Sequence, residues 1–170
     1  MTVEPKAAVA IIVANRTSIL LLRRNHHPRD PWSGHFSFPG GRKDRQDANL
    51  LATCLRETYE ETGIQLLHQT LASELSPAIA GHRTKQPILV KPFLFHLAER
   101  PAIALDSREI QSSCWLDIHL FQQAERHVQA EVLPELFYPA FPIDDYFVWG
   151  FTYRLLQYVL KEQLNHPPLP

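Results

Sequence analysis

Cysteine is scarce. Cys54 and Cys114 are the only two in 170 residues, too few for a disulfide framework and without metal-ligand spacing. Long apolar runs are missing as well: nothing approaches the ~20 residues of a membrane span, so no membrane partner is expected. Charge of one sign is not in excess. The formal net charge is -1, so no global basic field draws the protein to nucleic acid, and any anionic ligand must be met by local groups. The opening "MTVEPKAAVAIIVANR" places an acidic residue before a short apolar run and has no small-residue cleavage site. With the low cysteine count, this sets the expectation of a cytoplasmic protein. There is no internal repeat and no low-complexity linker, and the proline-rich "NHPPLP" reads as a frayed end over 165–170. What is present is 45% hydrophobic and 21% charged residues. At this length that composition suits one globular domain, 1–170, with an ordinary core.

Short aliphatic runs, "AAVAIIVA" (7–14) and "SILLLRR" (18–24), flank the turn residues "NRT" and predict a hairpin. "NHHPRDPWSG" reads as a loop. Ala48 to Thr62 reads as a helix with Asp47 as N-cap and Gly63 as the C′ glycine. "ILVKPFLFHL" (88–97) predicts a strand, with Pro92 pointing to an edge or a bulge. "IQSSCWLDI" contains another strand, "LFQQAERHV" a short helix, and "YFVWGFTYRLLQYVLKEQL" a strand end running into a closing helix. The expected class is α/β, a sandwich of helices on a mixed sheet.

The helix carries Glu57, Glu60 and Glu61 at i, i+3 and i+4, which sets the three carboxylates on one face, about 5–6 Å apart at Cβ. Leu51, Cys54, Leu55, Thr58 and Thr62 occupy another face. A solvated acidic stripe is the simple explanation. Its energetics oppose it, because like charges at i, i+4 cost about 0.2–0.5 kcal/mol per pair and carboxylates near the C-terminus oppose the helix dipole by about 0.3–1 kcal/mol each. A divalent cation reverses that sign. Mg²⁺ takes oxygen ligands and is bound through one or two carboxylates plus substrate phosphates.

"RETYEETGI", Arg56 to Ile64, resembles the core of the Nudix hydrolase box, with Thr58 at its apolar position. The box's opening glycine and first glutamate fall on Arg42 and Ala48, so the front half departs from the general pattern. In its place stands "FPGGRKDRQD" (38–47). Together with Leu21, Leu22, Arg24, Gly34, Asp44, Asp47 and the closing "YFVWGFTYRLL" (146–156), it resembles the coenzyme A diphosphatase branch. Arg29 lies five before Gly34, a spacing that departs from that branch.

The resemblance implies a Nudix-type α/β/α sandwich. It implies Glu57 and Glu61 as metal ligands, Glu60 as a third ligand or an outer acceptor, and the Gly40–Gly41 backbone completing a Mg²⁺ or Mn²⁺ site. Physically, bridging metals neutralise a diphosphate and acidify water. Arg56, set within the acidic run, suits a bidentate pair with a neighbouring carboxylate. Gly40 and Gly41 allow close backbone approach or simply form a turn.

His26, His27 and His35 lack zinc-site companions. Arg23, Arg24 and Arg29 suit phosphate oxygens, or are solvated surface. Trp32 and Phe36 offer faces for a base, whereas Trp115 and Trp149 sit in apolar runs and are expected in the core. Glu109 is a candidate general base or a solvated carboxylate. The expected activity is metal-dependent hydrolysis of a nucleoside-linked diphosphate. Coenzyme A or an acyl-CoA, cleaved to 3′,5′-ADP and 4′-phosphopantetheine, is the first substrate. ADP-ribose-like diphosphates are the enzymatic alternative and a non-catalytic nucleotide-binding module the other. The partner is thus a small molecule, with a homodimer left open.

Overall fold

The computed structural model describes residues 3–30 and 32–162; the frayed end expected at 165–170 lies outside them. Eleven strands and three α-helices follow in the order β1 (Ala7–Ala14), β2 (Ser18–Arg24), β3 (Phe36–Ser37), β4 (Gly40–Arg42), α1 (Leu50–Thr62), β5 (Leu71–Glu74), β6 (Ala78–Ala80), β7 (Ile88–Leu97), β8 (Ile110–Asp117), α2 (Ile118–Phe121), β9 (Val128–Leu133), β10 (Leu136–Ile143), β11 (Tyr146–Trp149) and α3 (Gly150–Glu162). The class is α/β with a mixed sheet. Internal contacts divide the chain into two compact units, Met1–Leu116 and Asp117–Pro170.

In the first unit the predicted hairpin forms at the expected residues. Its turn has positive φ at Asn15 and Arg16, and the Thr17 N–H returns to the Ala14 carbonyl at 3.0 Å, the pattern of a type I′ turn. β1 is the centre of an eight-stranded sheet with the path β3-β2-β1-β7-β5, on which β4 pairs with β1, β6 with β7 and β8 with β2. One side of β1 runs parallel to β7 along its whole length. The other side is shared: β2 pairs at Val13 and Ala14, whereas β4 pairs at Ala7, Ala8 and Val9. The β4 contact holds Gly40–Arg42 in place. Ala8, Ala10, Ile12, Leu20, Leu22, Cys54, Phe93 and Phe95 form the buried core between α1 and the sheet.

Pro92 does not mark an edge. β7 is internal, flanked by β1 on one side and by β5 and β6 on the other. The Leu89 and Leu97 carbonyls accept from the β1 side, while the Pro92 carbonyl accepts from Leu75 on the opposite side. Pro92 thus lacks its N–H where no pair is required: β5 ends at Glu74 opposite Phe93, and β6 begins at Ala78 opposite Val90.

The start of α1 also differs from expectation. Asn49, not Asp47, is the N-cap, its side chain accepting from the Ala52 N–H at 2.9 Å, and the helix begins at Leu50 rather than Ala48. Asp47 is engaged elsewhere. One of its oxygens accepts from the Asp44 N–H and from Thr53 Oγ1, and the pair of them take the Arg56 guanidinium through Nε and Nη2, both at 2.8 Å. The other end is as read, with Gly63 at φ 71° and its N–H on the Tyr59 carbonyl.

In the second unit β9, β10 and β11 form an antiparallel sheet, and α3 packs on β10 and β11. The helix expected over 120–128 is one α-turn, a 3₁₀ turn and the start of β9. His127 accounts for the break. Its Nε2 donates to the Phe121 carbonyl at 2.5 Å, the group that a continuing helix would offer to Glu125. Its Nδ1 accepts from the Tyr153 hydroxyl at 2.7 Å, and that hydroxyl accepts from Gln157.

Separating the cap from the buried pair is a direct test of this helix start. Asn49→Ala is expected to cost about 1 kcal/mol, the usual value of a cap. Asp47→Asn, which takes the buried charge from under Arg56 and leaves it only Glu57 and Glu60, is expected to cost about 1.5–3 kcal/mol. Urea unfolding of the two variants checks the order.

Candidate functional site

The shared edge of β1 delivers the site. Gly40 and Gly41 lie against Val9 and Ala8 and face α1, and neither has room for a side chain. A Cβ on Gly40 would fall 2.2 Å from the Ala8 carbonyl oxygen, and one on Gly41 would fall 2.5 Å from the Glu57 carboxyl carbon. Gly40 also holds φ +154°, which disfavours any other residue. Its N–H donates to Glu61 at 3.0 Å. Two carboxylates are thus pressed against bare backbone.

The three glutamates do not share one environment. Glu61 is 4% exposed, and burial pushes its carboxyl up to about 8 against the pull of the Gly40 hydrogen bond. Glu57 is half-buried and raised by burial too, with Arg56 opposing the shift through its hydrogen bond and charge. The Glu60 side chain is 55% exposed and points to Arg56 at 3.2 Å. The stripe expected from spacing is therefore split: one carboxylate buried, one at the boundary, one in solvent. Arg56 spans the boundary, bidentate to Asp47 and reaching Glu57 at 2.9 Å. Asp47 is held well below the usual carboxylate range chiefly by that guanidinium.

Of the remaining candidates, Glu109 and Arg24 join the site by charge. Glu109 raises both Glu57 and Glu61, and Arg24 lowers Glu61. Glu109 is exposed, with its carbonyl accepting the Asn25 N–H. Arg24 Nε is paired with Asp30 at 2.9 Å. Arg23 Nε donates to the Gly34 carbonyl at 3.2 Å, and its guanidinium lies over the Phe36 ring. Arg29 is exposed, and its own N–H donates to His27 Nδ1. The His26 ring packs on Gly34. Burial lowers His35. Trp115 is partly buried against the core, and the Trp149 ring lies 5.3 Å from that of Tyr138. Spacing did not reveal Asp47 as the partner of Arg56, whose expected bidentate pair with a neighbouring carboxylate is made nine residues upstream.

Among the described residues, no three His, Cys, Asp or Glu side chains gather tightly enough to hold an ion unaided. The groups present still fit a hard divalent cation. They are all oxygen donors, the buried Glu61 has backbone N–H but no cationic side chain hydrogen-bonded to it, and Mg²⁺ needs only one or two carboxylates when substrate phosphates supply the rest. Glu57 and Glu61, with backbone of the Gly40–Gly41 turn, are the residues that would hold it. Two surface hollows of about 390 and 330 Å³ lie elsewhere, around Arg16 and His96 and around Gly63 and Pro101. They contain none of these glutamates.

Comparison with known proteins agrees with this geometry. The family model for the NUDIX domain matches residues 4–136. A Schizosaccharomyces pombe protein is 31% identical over 116 residues, covering 66% of this chain and 35% of that one. A peroxisomal coenzyme A diphosphatase of Caenorhabditis elegans is 30% identical over 130 residues, covering 73% of this chain and 53% of that one. The chain thus spans about a third to a half of the length of these two relatives. The Nudix domain of Shewanella oneidensis NrtR, solved with ADP ribose, shares the fold with TM-score 0.62 and 15% identity, covering 95% of this chain and 89% of that one.

The raised Glu61 predicts a pH dependence. Glu61 binds its proton more tightly folded than unfolded, so from about pH 4.5 to about 8 the folded state holds the extra proton. Stability from this group is full below 4.5 and lost as pH rises through about 8. In chelator, the melting temperature of the wild type is expected to fall over that window more than that of Glu61→Gln. Millimolar Mg²⁺ should raise the wild-type melting temperature more at pH 8 than at pH 5, because cation and proton compete for the same carboxylate.

Proposed function

The chain belongs to the Nudix family, and from that premise we propose that it is a divalent-metal-dependent diphosphatase acting on a nucleoside-linked diphosphate, with coenzyme A or an acyl-CoA as substrate. The observation that carries this reading is the convergence of Glu57 and Glu61 on the side-chain-free Gly40–Gly41 turn. That convergence places two carboxyl groups beside bare backbone, where a cation can displace the Glu61 proton and a phosphate can approach. The coenzyme A assignment is supported by the Phe38–Gly41 and Asp44/Asp47 pattern. It also draws on the likeness to the C. elegans coenzyme A diphosphatase.

In this reading water adds to one phosphorus of the diphosphate, the P–O bond to the bridging oxygen breaks, and that oxygen leaves with the other phosphate. The water's proton passes to a carboxylate, for which Glu109 is our choice. It is exposed and its charge is felt at both Glu57 and Glu61, so it can accept a proton without leaving a buried charge unpaired. A divalent cation, when bound, supplies the charge that neutralises the non-bridging oxygens and makes water acidic enough to attack at neutral pH. Arg56 keeps Glu57 oriented and, through Asp47, fixes the helix start to the turn. Arg24 at the end of β2 and Arg29 on the loop that follows are the cationic contacts for the diphosphate. The products are 3′,5′-ADP and 4′-phosphopantetheine or its acyl form.

Glu61→Gln keeps the acceptor for Gly40 but removes the charge, and turnover is expected to fall about 10²–10⁴-fold, the scale of losing a major electrostatic element. Its fold should be retained, as judged by circular dichroism. Coenzyme A and ADP-ribose, assayed side by side with Mg²⁺ and with EDTA, decide the substrate. Faster cleavage of ADP-ribose than of coenzyme A removes the coenzyme A assignment, and cleavage that persists in EDTA removes the metal.

A further inference from the structure

The reaction just described leaves two neighbouring segments without a role. One is the loop between β2 and β3, with Trp32; the other is the turn between β6 and β7, residues 81–87. Topology brings them together. β7 runs parallel to β1, with Val90 opposite Ala7, so the turn before β7 lies at the end of the sheet where β4 holds Gly40–Arg42 against Ala7–Val9. β2 runs antiparallel to β1, so the loop after Arg24 lies at that end too.

The two segments touch there. A Cβ built on Gly81 would meet the Trp32 indole at 3.3 Å and Thr84 Oγ1 at 2.8 Å, and Gly81 holds φ +71°. The turn is fastened, since Thr84 returns both its N–H and its hydroxyl to the Gly81 carbonyl at 2.9 Å. Trp32 is fastened as well. Its backbone N–H donates to Asp30 Oδ1 at 3.0 Å, while Asp30 Oδ2 holds Arg24, whose charge reaches Glu61. Trp32 is partly exposed. Beside it the turn carries exposed His82, Arg83 and Lys85, and the segment 81–90 contains no carboxylate. An aromatic face with a cationic rim therefore stands at the end of the sheet that carries the Gly40–Arg42 turn.

We propose that Trp32 and the β6–β7 turn form a subsite for the nucleoside end of the substrate, the base stacking on the indole and a phosphomonoester on the ribose held by Arg83 and Lys85. This rests on the nucleoside-diphosphate reading of the glutamate site and adds to it the groups of this chain that would hold the nucleoside end and read a phosphate on its ribose. The division of labour follows from chemistry. Stacking on an indole tolerates any base, so it supplies affinity. Cations at a fixed turn distinguish a dianionic phosphomonoester from a hydroxyl, so they supply selectivity.

The test is equilibrium binding of adenosine 3′,5′-bisphosphate and of 5′-AMP to the full chain in Mg²⁺, read by calorimetry and by indole fluorescence. The wild type is expected to bind the bisphosphate more tightly by roughly ten- to a hundredfold, the scale of hydrogen bonds to a charged group. The double variant R83Q/K85Q should lose that advantage and leave the affinity for AMP unchanged. Trp32→Ala should weaken both nucleotides by a similar factor, and Trp32→Phe should restore most of the loss.

Equal wild-type affinities for the two nucleotides, or an advantage that survives R83Q/K85Q, would overturn the phosphate contact. Unchanged affinities in both Trp32 variants would overturn the stacking. A wild type that binds as expected but cleaves no diphosphate keeps the subsite and removes the diphosphatase. A wild type that cleaves coenzyme A with a KM indifferent to R83Q/K85Q does the reverse.

Discussion

Two glycines with no space beside them set the terms of this structure. Gly40 is closed off by the Ala8 carbonyl and Gly41 by the Glu57 carboxyl. The strand pairing that holds them there depends on β1 giving up half of one edge to β4. Were β2 to pair along the whole of β1, the turn would be displaced from α1, and Glu61 would lose the Gly40 N–H, its one hydrogen-bonded partner among the described residues, and face apolar core. A buried carboxyl left without any partner is costlier than one that keeps a hydrogen bond. Splitting the β1 edge is thus a fold-level device with an electrostatic purpose: it brings a backbone N–H to a carboxylate that helix spacing alone would leave stranded.

Charge management around α1 has a second part. Arg56 spends Nε and Nη2 on Asp47, which is buried, and Nη1 on Glu57 and Glu60. The first pairing is structural, tying the approach to the helix to its second turn. The other two leave Glu57 oriented and half-buried but not neutralised by a buried partner of its own. A guanidinium suits this double duty because its donors lie in one rigid plane and serve several acceptors at once.

Much of this was legible in the chain because the elements concerned follow strong local rules. The β1–β2 hairpin, β7, β8, α3 and the C-terminal end of α1 are long or sharply punctuated. Asp47 misled because an acidic residue three before the first apolar pair looks like a cap, and the competing attraction, Arg56 nine residues on, is visible only once the helix turns back over the loop. β3 and β4, of two and three residues, are shorter than any period and exist by pairing with β2 and β1. β10 was hidden for a different reason. Pro139 and Pro142 argue against an internal strand, yet β10 lies between β9 and β11. The glutamates were readable as a cluster from their spacing. That one would be buried, one bordering and one exposed was not, since the difference is made by Gly40, which arrives from 21 residues upstream.

Pro92 opens a break between β5 and β6 along the outer edge of β7, and the two short strands on either side need not keep a common register. Ser76 and Pro77 link them, beyond Leu75, which is anchored to the Pro92 carbonyl. Changes of chain length at this link alter β6 and the turn it carries without disturbing the ladder that β5 makes with Phe93–Phe95 or the parallel pairing of β7 with β1. The scaffold and the cationic turn can accordingly diverge at different rates. A protein built in this way can lengthen, shorten or recharge the part that meets the far end of a ligand while its core sheet stays as it is.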